Sequence, residues 1–180
     1  MRFTTKDLVL TSIMTAILCV LGPVSIPIGP VPVSLTTFLI FTGLYILGYK
    51  RCTVSVLIYI LLGTSGLPVF SGFQGGLAKV TGPTGGYILG FIPMVLVAGL
   101  IIDELRNRPA LYPVITIASS WIVYIPGSLW LSYSTGISFG AAMLAGVVPF
   151  IVLDIIKAFL AFAVGMSVYR RLMRAGDLIS

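Results

Sequence analysis

Six long apolar runs, about 7 to 25, 34 to 49, 52 to 65, 86 to 102, 110 to 131 and 145 to 169, fill most of this chain, with glycine, proline or charge between them. A hydrocarbon core about 30 Å thick takes roughly 20 apolar residues per helical crossing. The runs therefore predict an all-α integral membrane protein of six transmembrane helices. Composition agrees: 58% of the 180 residues are hydrophobic and 9% charged, with a mean hydropathy of +1.12, whereas soluble domains are about 25% charged. Six crossings leave about 60 residues for loops and tails, so residues 1–180 are expected to form a single six-helix membrane domain.

The net charge of +6 would raise the question of nucleic acid in a soluble protein, but the basic residues sit in clusters between the apolar runs. Topology explains them, and no nucleic-acid partner is expected. With a cytoplasmic N-terminus, the inner segments hold nine basic residues: Arg2, Lys6, Lys50, Arg51, Arg106, Arg108, Arg170, Arg171 and Arg174. The outer segments hold only Lys79, and Lys157 lies within the sixth run. This excess predicts both termini in the cytoplasm of a multi-pass plasma-membrane protein. Five spans would put the Arg170 cluster outside. Tyr45, Tyr49 and Tyr169 near inner ends, and Trp130 and Tyr133 near an outer end, suit the interface. The basic, apolar N-terminus resembles a signal peptide, but no small-x-small cleavage site follows, and it is expected to remain as the first span.

Several chemistries find no support. The chain has no histidine, and its two cysteines, Cys19 and Cys52, lie in or beside spans, which offers neither a Cys/His metal site nor a disulfide framework. Gly75 and Gly76 precede Lys79, but a phosphate-binding loop needs lysine directly after glycine between a strand and a helix. ATP hydrolysis by this chain is not expected. One carboxylate and one amine in the membrane, without histidine or a metal, is a thin basis for an enzyme.

Four constellations remain. Asp154 and Lys157 fall at i and i+3 in the sixth run, hence on one helix face. A charge at the bilayer centre costs about 2.5–3.5 kcal/mol on insertion scales, so the two should face the bundle interior and pair with each other or with a ligand; a purely structural ion pair is the alternative. The 20-residue connection from Gly66 to Gly85 is rich in glycine and apolar residues with one charge, unlike a disordered segment. It reads as a long outer loop between helices 3 and 4 folded over a substrate site, or as a mere plug. The segment between the first two spans alternates proline with small and branched residues and reads as extended and polyproline-like. Ser34, Thr36 and Thr37 follow it, able to point hydroxyls inward, with helix capping as the alternative use of Ser34. Small residues recur four apart as Thr11 with Thr15, Ser12 with Ala16, Gly86 with Gly90 and Ala161 with Gly165. Such spacing lets backbones approach, either within the bundle or, on helix one, against a partner.

The runs GPVPVSLTTF at 29–38, LLGTSGLPVFSGFQGG at 61–76, GPTGGYILGF at 82–91 and PFIVLDIIKAF at 149–159 resemble the BioY family, the biotin-specific S components of energy-coupling factor (ECF) transporters. One departure is Thr36, where similar sequences often carry Gln. The resemblance implies a high-affinity biotin-binding subunit that is not an enzyme and needs no cofactor. It would work with a transmembrane T component and two ATPases on other chains. It also implies that the small-residue face of helix one, Thr11, Ser12, Thr15 and Ala16, docks the T component. Biotin carries a ureido group with two N–H donors and a carbonyl, an apolar ring and chain, and a carboxylate. Asp154 would accept from a ureido N–H and Lys157 donate to its carbonyl, with Gln74 assisting from the loop, because buried polar groups must be paired. Lys79 would meet the carboxylate near the mouth; the reverse orientation, with Lys157 on the carboxylate, remains open. Phe70, Phe73 and Tyr87 are candidate walls, and Thr36 and Thr37 candidate polar contacts. A stand-alone facilitator or channel is the alternative function.

Overall fold

The computed structural model describes residues 4–174. Arg2, one of the basic residues assigned to the inner face, lies outside them. The elements in order are α1 (Thr5–Leu21), β1 (Ser25–Ile26), β2 (Val33–Ser34), α2 (Thr36–Thr64), α3 (Leu77–Thr81), α4 (Gly85–Glu104), a single 3-10 turn (Pro109–Leu111), α5 (Tyr112–Ser119), α6 (Trp121–Thr135), α7 (Phe139–Gly146) and α8 (Val148–Arg174). Four stretches are long and apolar enough to cross a membrane: α2, α4, the run Pro109–Thr135 and the run Phe139–Arg174. The 17 residues of α1 stand at the lower end of the roughly 17–25 that a crossing takes.

The fold is mostly helical with six passes, as the apolar runs predict, because α2 is two limbs. Gly48 breaks it at φ 77° and ψ 172°, a backbone state that glycine adopts without a Cβ penalty. The Cys52 thiol then donates to the Ile40 carbonyl at 3.5 Å, so the second limb runs back along the first. α5 and α6 make one further pass with a break at Ser120, and α7 and α8 another with a break at Val147. The most extensive packings join α4 with α6, α2 with α8, α1 with α2, and α2 with α4.

Small residues set two of these crossings. A Cβ on Gly90 would lie 3.1 Å from the Val123 backbone, and one on Gly86 2.9 Å from the Pro126 carbonyl, so α4 meets α6 backbone to backbone. Ala161 is fully buried, and Gly165 of the same spacing meets Tyr45 of α2. Both pairs serve packing within the bundle. On α1, Thr11 and Thr15 are buried, with the Thr11 carbonyl accepting from Ser55 at 3.1 Å, whereas Ser12 and Ala16 are exposed.

One expectation is corrected. The segment after α1 is not a single extended run: β1 and β2 pair antiparallel, Ser25 with Ser34 and Ile26 with Val33. Gly29, at φ 68°, lies in the connection that reverses the chain. Ser34 is not the N-cap residue of α2, which is Leu35, but its hydroxyl accepts from the Thr36 amide at 3.4 Å and so satisfies one donor of the first turn.

The connection from Gly66 to Gly85 is folded. Phe70 and Gln74 exchange backbone hydrogen bonds at 2.9 and 3.3 Å, Gly72 donates to the Pro23 carbonyl at 2.9 Å and Gly76 to the Gly63 carbonyl at 2.7 Å. Phe70 is buried, edge-on to Tyr59 at 5.6 Å between centroids, and its ring lies where a Cβ on Gly63 would stand. Gly63→Ala should therefore unseat Phe70 and destabilise the protein by about 1–3 kcal/mol, the usual cost of overpacking. Thermal unfolding in detergent checks this: an unchanged midpoint would mean that the ring is not held there.

Candidate functional site

A polar cluster joins three of the passes. Lys157 donates to Asp154 Oδ1 at 2.9 Å and to Thr37 Oγ1 at 3.2 Å; Thr37 donates to the same Oδ1 at 3.1 Å. Tyr124 donates to Asp154 Oδ2 at 2.6 Å. The side chains of Lys157 and Asp154 are 13% and 5% exposed, so the pair that shares one face of α8 turns inward and is tied to the first limb of α2 and to α6. Both carboxylate oxygens are engaged, while the Lys157 ammonium keeps one of its three donors.

This cluster forms the polar wall of a cavity between α2, α4, α6 and α8. Apolar groups line the rest: Val31, Phe91, Val123 and Phe150, with the rings of Tyr59, Phe70 and Tyr87. Phe70 and Ser71 bring the folded loop to this cavity, and Pro32 and Ser34 bring the hairpin. Tyr87 packs against Gly127 and Gly146, where any side chain would collide with its ring, and shares a hydrogen bond with Ser128 at 3.1 Å. Thr36 is buried and donates to the Gly22 carbonyl at 3.4 Å. An apolar slot with a few fixed polar groups on one side is the usual form of a small-molecule site.

Six of the nine ligand-site candidates from the sequence thus come together: Asp154, Lys157, Thr36, Thr37, Phe70 and Tyr87. Three do not reach this cavity. Gln74 and Lys79 line a neighbouring depression with Pro30, Gly82 and Thr84. Phe73, at φ 56° on the turn that closes at Gln74, is 65% exposed. Thr84 lines both spaces and makes them adjacent. Partial burial pulls the Lys79 ammonium below its ordinary pKa. Among the described residues, no three His, Cys, Asp or Glu side chains group to hold a metal ion.

Sequence reasoning missed Tyr124, the shortest hydrogen bond to Asp154, and Tyr59, whose hydroxyl donates to the Val69 carbonyl at 3.0 Å. Both are phenols in the middle of apolar runs, and a polar group at that depth is itself a signal.

A family model described as the BioY family matches residues 1–174. The chain is 39% identical over 153 residues to a Pyrococcus horikoshii protein named a probable biotin transporter BioY, across 85% of this chain and 90% of that one. It is 38% identical over 161 residues to the biotin transporter BioY of Thermotoga maritima, across 89% and 94%. A crystal structure of the S-component for biotin from an ECF-type ABC transporter aligns with a TM-score of 0.84 at 31% identity, across 96% of this chain and 95% of that one. With one fold along nearly the whole length and a family model over the same span, the chain belongs to the BioY family.

Proposed function

We propose that this protein is the biotin-binding S component of an ECF-type transporter, a transport subunit and not an enzyme. The observation that carries the reading is the cavity beside Asp154 and Lys157, apolar on most sides and polar on one, in a chain whose relatives are named biotin transporters. The whole chain acts as one membrane domain, with both termini in the cytoplasm and the Gly66 to Gly85 loop outside; the cluster of basic residues at one end supports that orientation. A T component and two ATPases on other chains supply the energy.

Asp154 already accepts from three donors. A carboxylate offers about four acceptor positions, which leaves room for one ureido N–H. The free Lys157 donor then suits the ureido carbonyl, or the ligand carboxylate in the opposite orientation, and Thr36 and Thr37 stand beside the head group. Phe70 and Tyr87 enclose the ring. Lys79 and Gln74, in the adjoining depression, meet the carboxylate at the mouth, and Phe73 covers the ligand when the loop closes on it. The T component docks on the exposed side of α1 at Ser12 and Ala16, while the buried Thr11 and Thr15 hold that helix against α2.

Calorimetry on detergent-purified protein tests the assignment. Biotin should bind saturably, riboflavin and thiamine should not compete, and Asp154→Ala or Lys157→Ala should weaken binding at least about tenfold, or 1.4 kcal/mol. Binding unchanged in both variants would return the pair to a structural role. Uptake in cells that lack the coupling module would favour a facilitator instead.

The pair also makes a prediction without ligand. Lys157→Met leaves a buried carboxylate without its cation and should cost about 3–5 kcal/mol, whereas Asp154→Leu with Lys157→Met should recover most of that loss. The double variant should fold yet bind no biotin. Recovery of binding with folding would exclude these side chains from ligand recognition.

Lys79→Gln should lower the association rate constant and flatten its salt dependence, because a rim charge acts on encounter more than on dissociation. Stopped-flow measurements across ionic strength would show this. An unchanged association rate with faster dissociation would place Lys79 in the bound complex instead.

A further inference from the structure

A second and larger space lies at the opposite end of the bundle. It measures about 590 Å³ and opens between the Gly48 reversal, the end of α4, the start of α5 and the end of α8. That volume lies within the roughly 300–1,000 Å³ of small-molecule sites. The cavity beside Asp154 does not reach it, and it plays no part in the function proposed above.

Its walls are amphipathic. Three cations, Lys50, Arg51 and Arg106, line it with two carboxylates, Asp7 and Asp103. Asp7 is committed: it pairs with Arg51 at 2.6 Å and accepts from the Thr4 amide and hydroxyl, each at 2.8 Å. Asp103 and Arg106 meet at 3.3 Å with side chains 52% and 78% exposed, and so open a pair contributes little and exchanges readily. Lys50 makes no ion pair among the described residues; its ammonium stands 5.7 Å from the Tyr49 ring centroid. Beside these cations lie the Tyr49 and Tyr169 rings and the apolar side chains of Leu47, Met166 and Met173.

We propose that this cavity binds a phosphate ester at the membrane face, with Lys50 and Arg106 as its cations. The apolar wall suits the acyl region of an anionic glycerophospholipid, and basic pockets between helices at an interface are where such head groups bind. Free phosphate shares the charge but has no use for the apolar wall.

Native mass spectrometry of protein from mixed phosphatidylglycerol and phosphatidylcholine micelles tests this, with sodium phosphate in phosphatidylcholine alone as a second arm. The wild type should retain phosphatidylglycerol in preference. Lys50→Ala and Arg106→Ala should each reduce that preference about fivefold, and Lys50→Arg should keep it. Arg171→Ala with Arg174→Ala, outside the cavity, should also keep it. An undiminished preference in the Lys50→Ala/Arg106→Ala double variant, or an equal loss in the Arg171/Arg174 pair, would overturn the site. Thermal stabilisation by inorganic phosphate alone, lost in the double variant, would keep the anion site and overturn the lipid. Biotin binding should be unaffected by the double variant, so this proposal and the biotin reading fail separately.

Discussion

Two charges held inside an apolar bundle govern this structure. Asp154 and Lys157 sit where each alone would cost about 2.5–3.5 kcal/mol, and neither the membrane nor the core can offset that. The cost is met by mutual contact at 2.9 Å and by donors from two other passes, Thr37 on α2 and Tyr124 on α6. The pair therefore fixes the positions of three helices relative to one another. What lies beside it is a slot walled on its other sides mostly by apolar groups.

The glycines complete this arrangement from the outside. α4 bears no charge in the cluster, yet its close approach to α6 at Gly86 and Gly90 sets Tyr87 opposite the charged pair, in space left free by Gly127 and Gly146. Substituting bulk at any of these positions would act on the cavity through backbone separation rather than through a lost contact.

The passes and the charged pair were legible in the sequence because both follow from one-dimensional rules: hydropathy over a bilayer thickness, and helical spacing. The reversal at Gly48 was legible too, since Lys50 and Arg51 follow it and basic residues mark span ends. Other features depend on distant partners. Ser25 pairs with Ser34 only when the Pro-rich segment folds back, a tertiary outcome that its extended local preference does not announce. Lys79 and Gln74 stand apart from the main cavity because Gly76 is tied to Gly63 at the end of α2 and Gly72 to Pro23, backbone contacts with no side-chain signature. Tyr124 escaped notice because a tyrosine in an apolar run passes as an interface residue until a buried carboxylate is found beside it.

The size of the cavity bears on the loop. At about 70 Å³, in a measure where one water needs roughly 10–15 Å³, it is a narrow slot. The groups that narrow it from the loop side are Phe70 and Ser71, carried on a segment fastened by backbone hydrogen bonds, by the Tyr59 hydroxyl and the Trp130 indole on its carbonyls, and by the buried Val69 and Phe70. The opposite wall is α8, fixed by the ion pair. The remaining walls come from α2, α4 and α6, through Tyr59, Tyr87, Phe91 and Val123. The loop segment is tied to its surroundings by Gly72 to Pro23, Gly76 to Gly63, Tyr59 to Val69 and Trp130 to Gly82, so the loop and the charged wall are each held by contacts from distant parts of the chain.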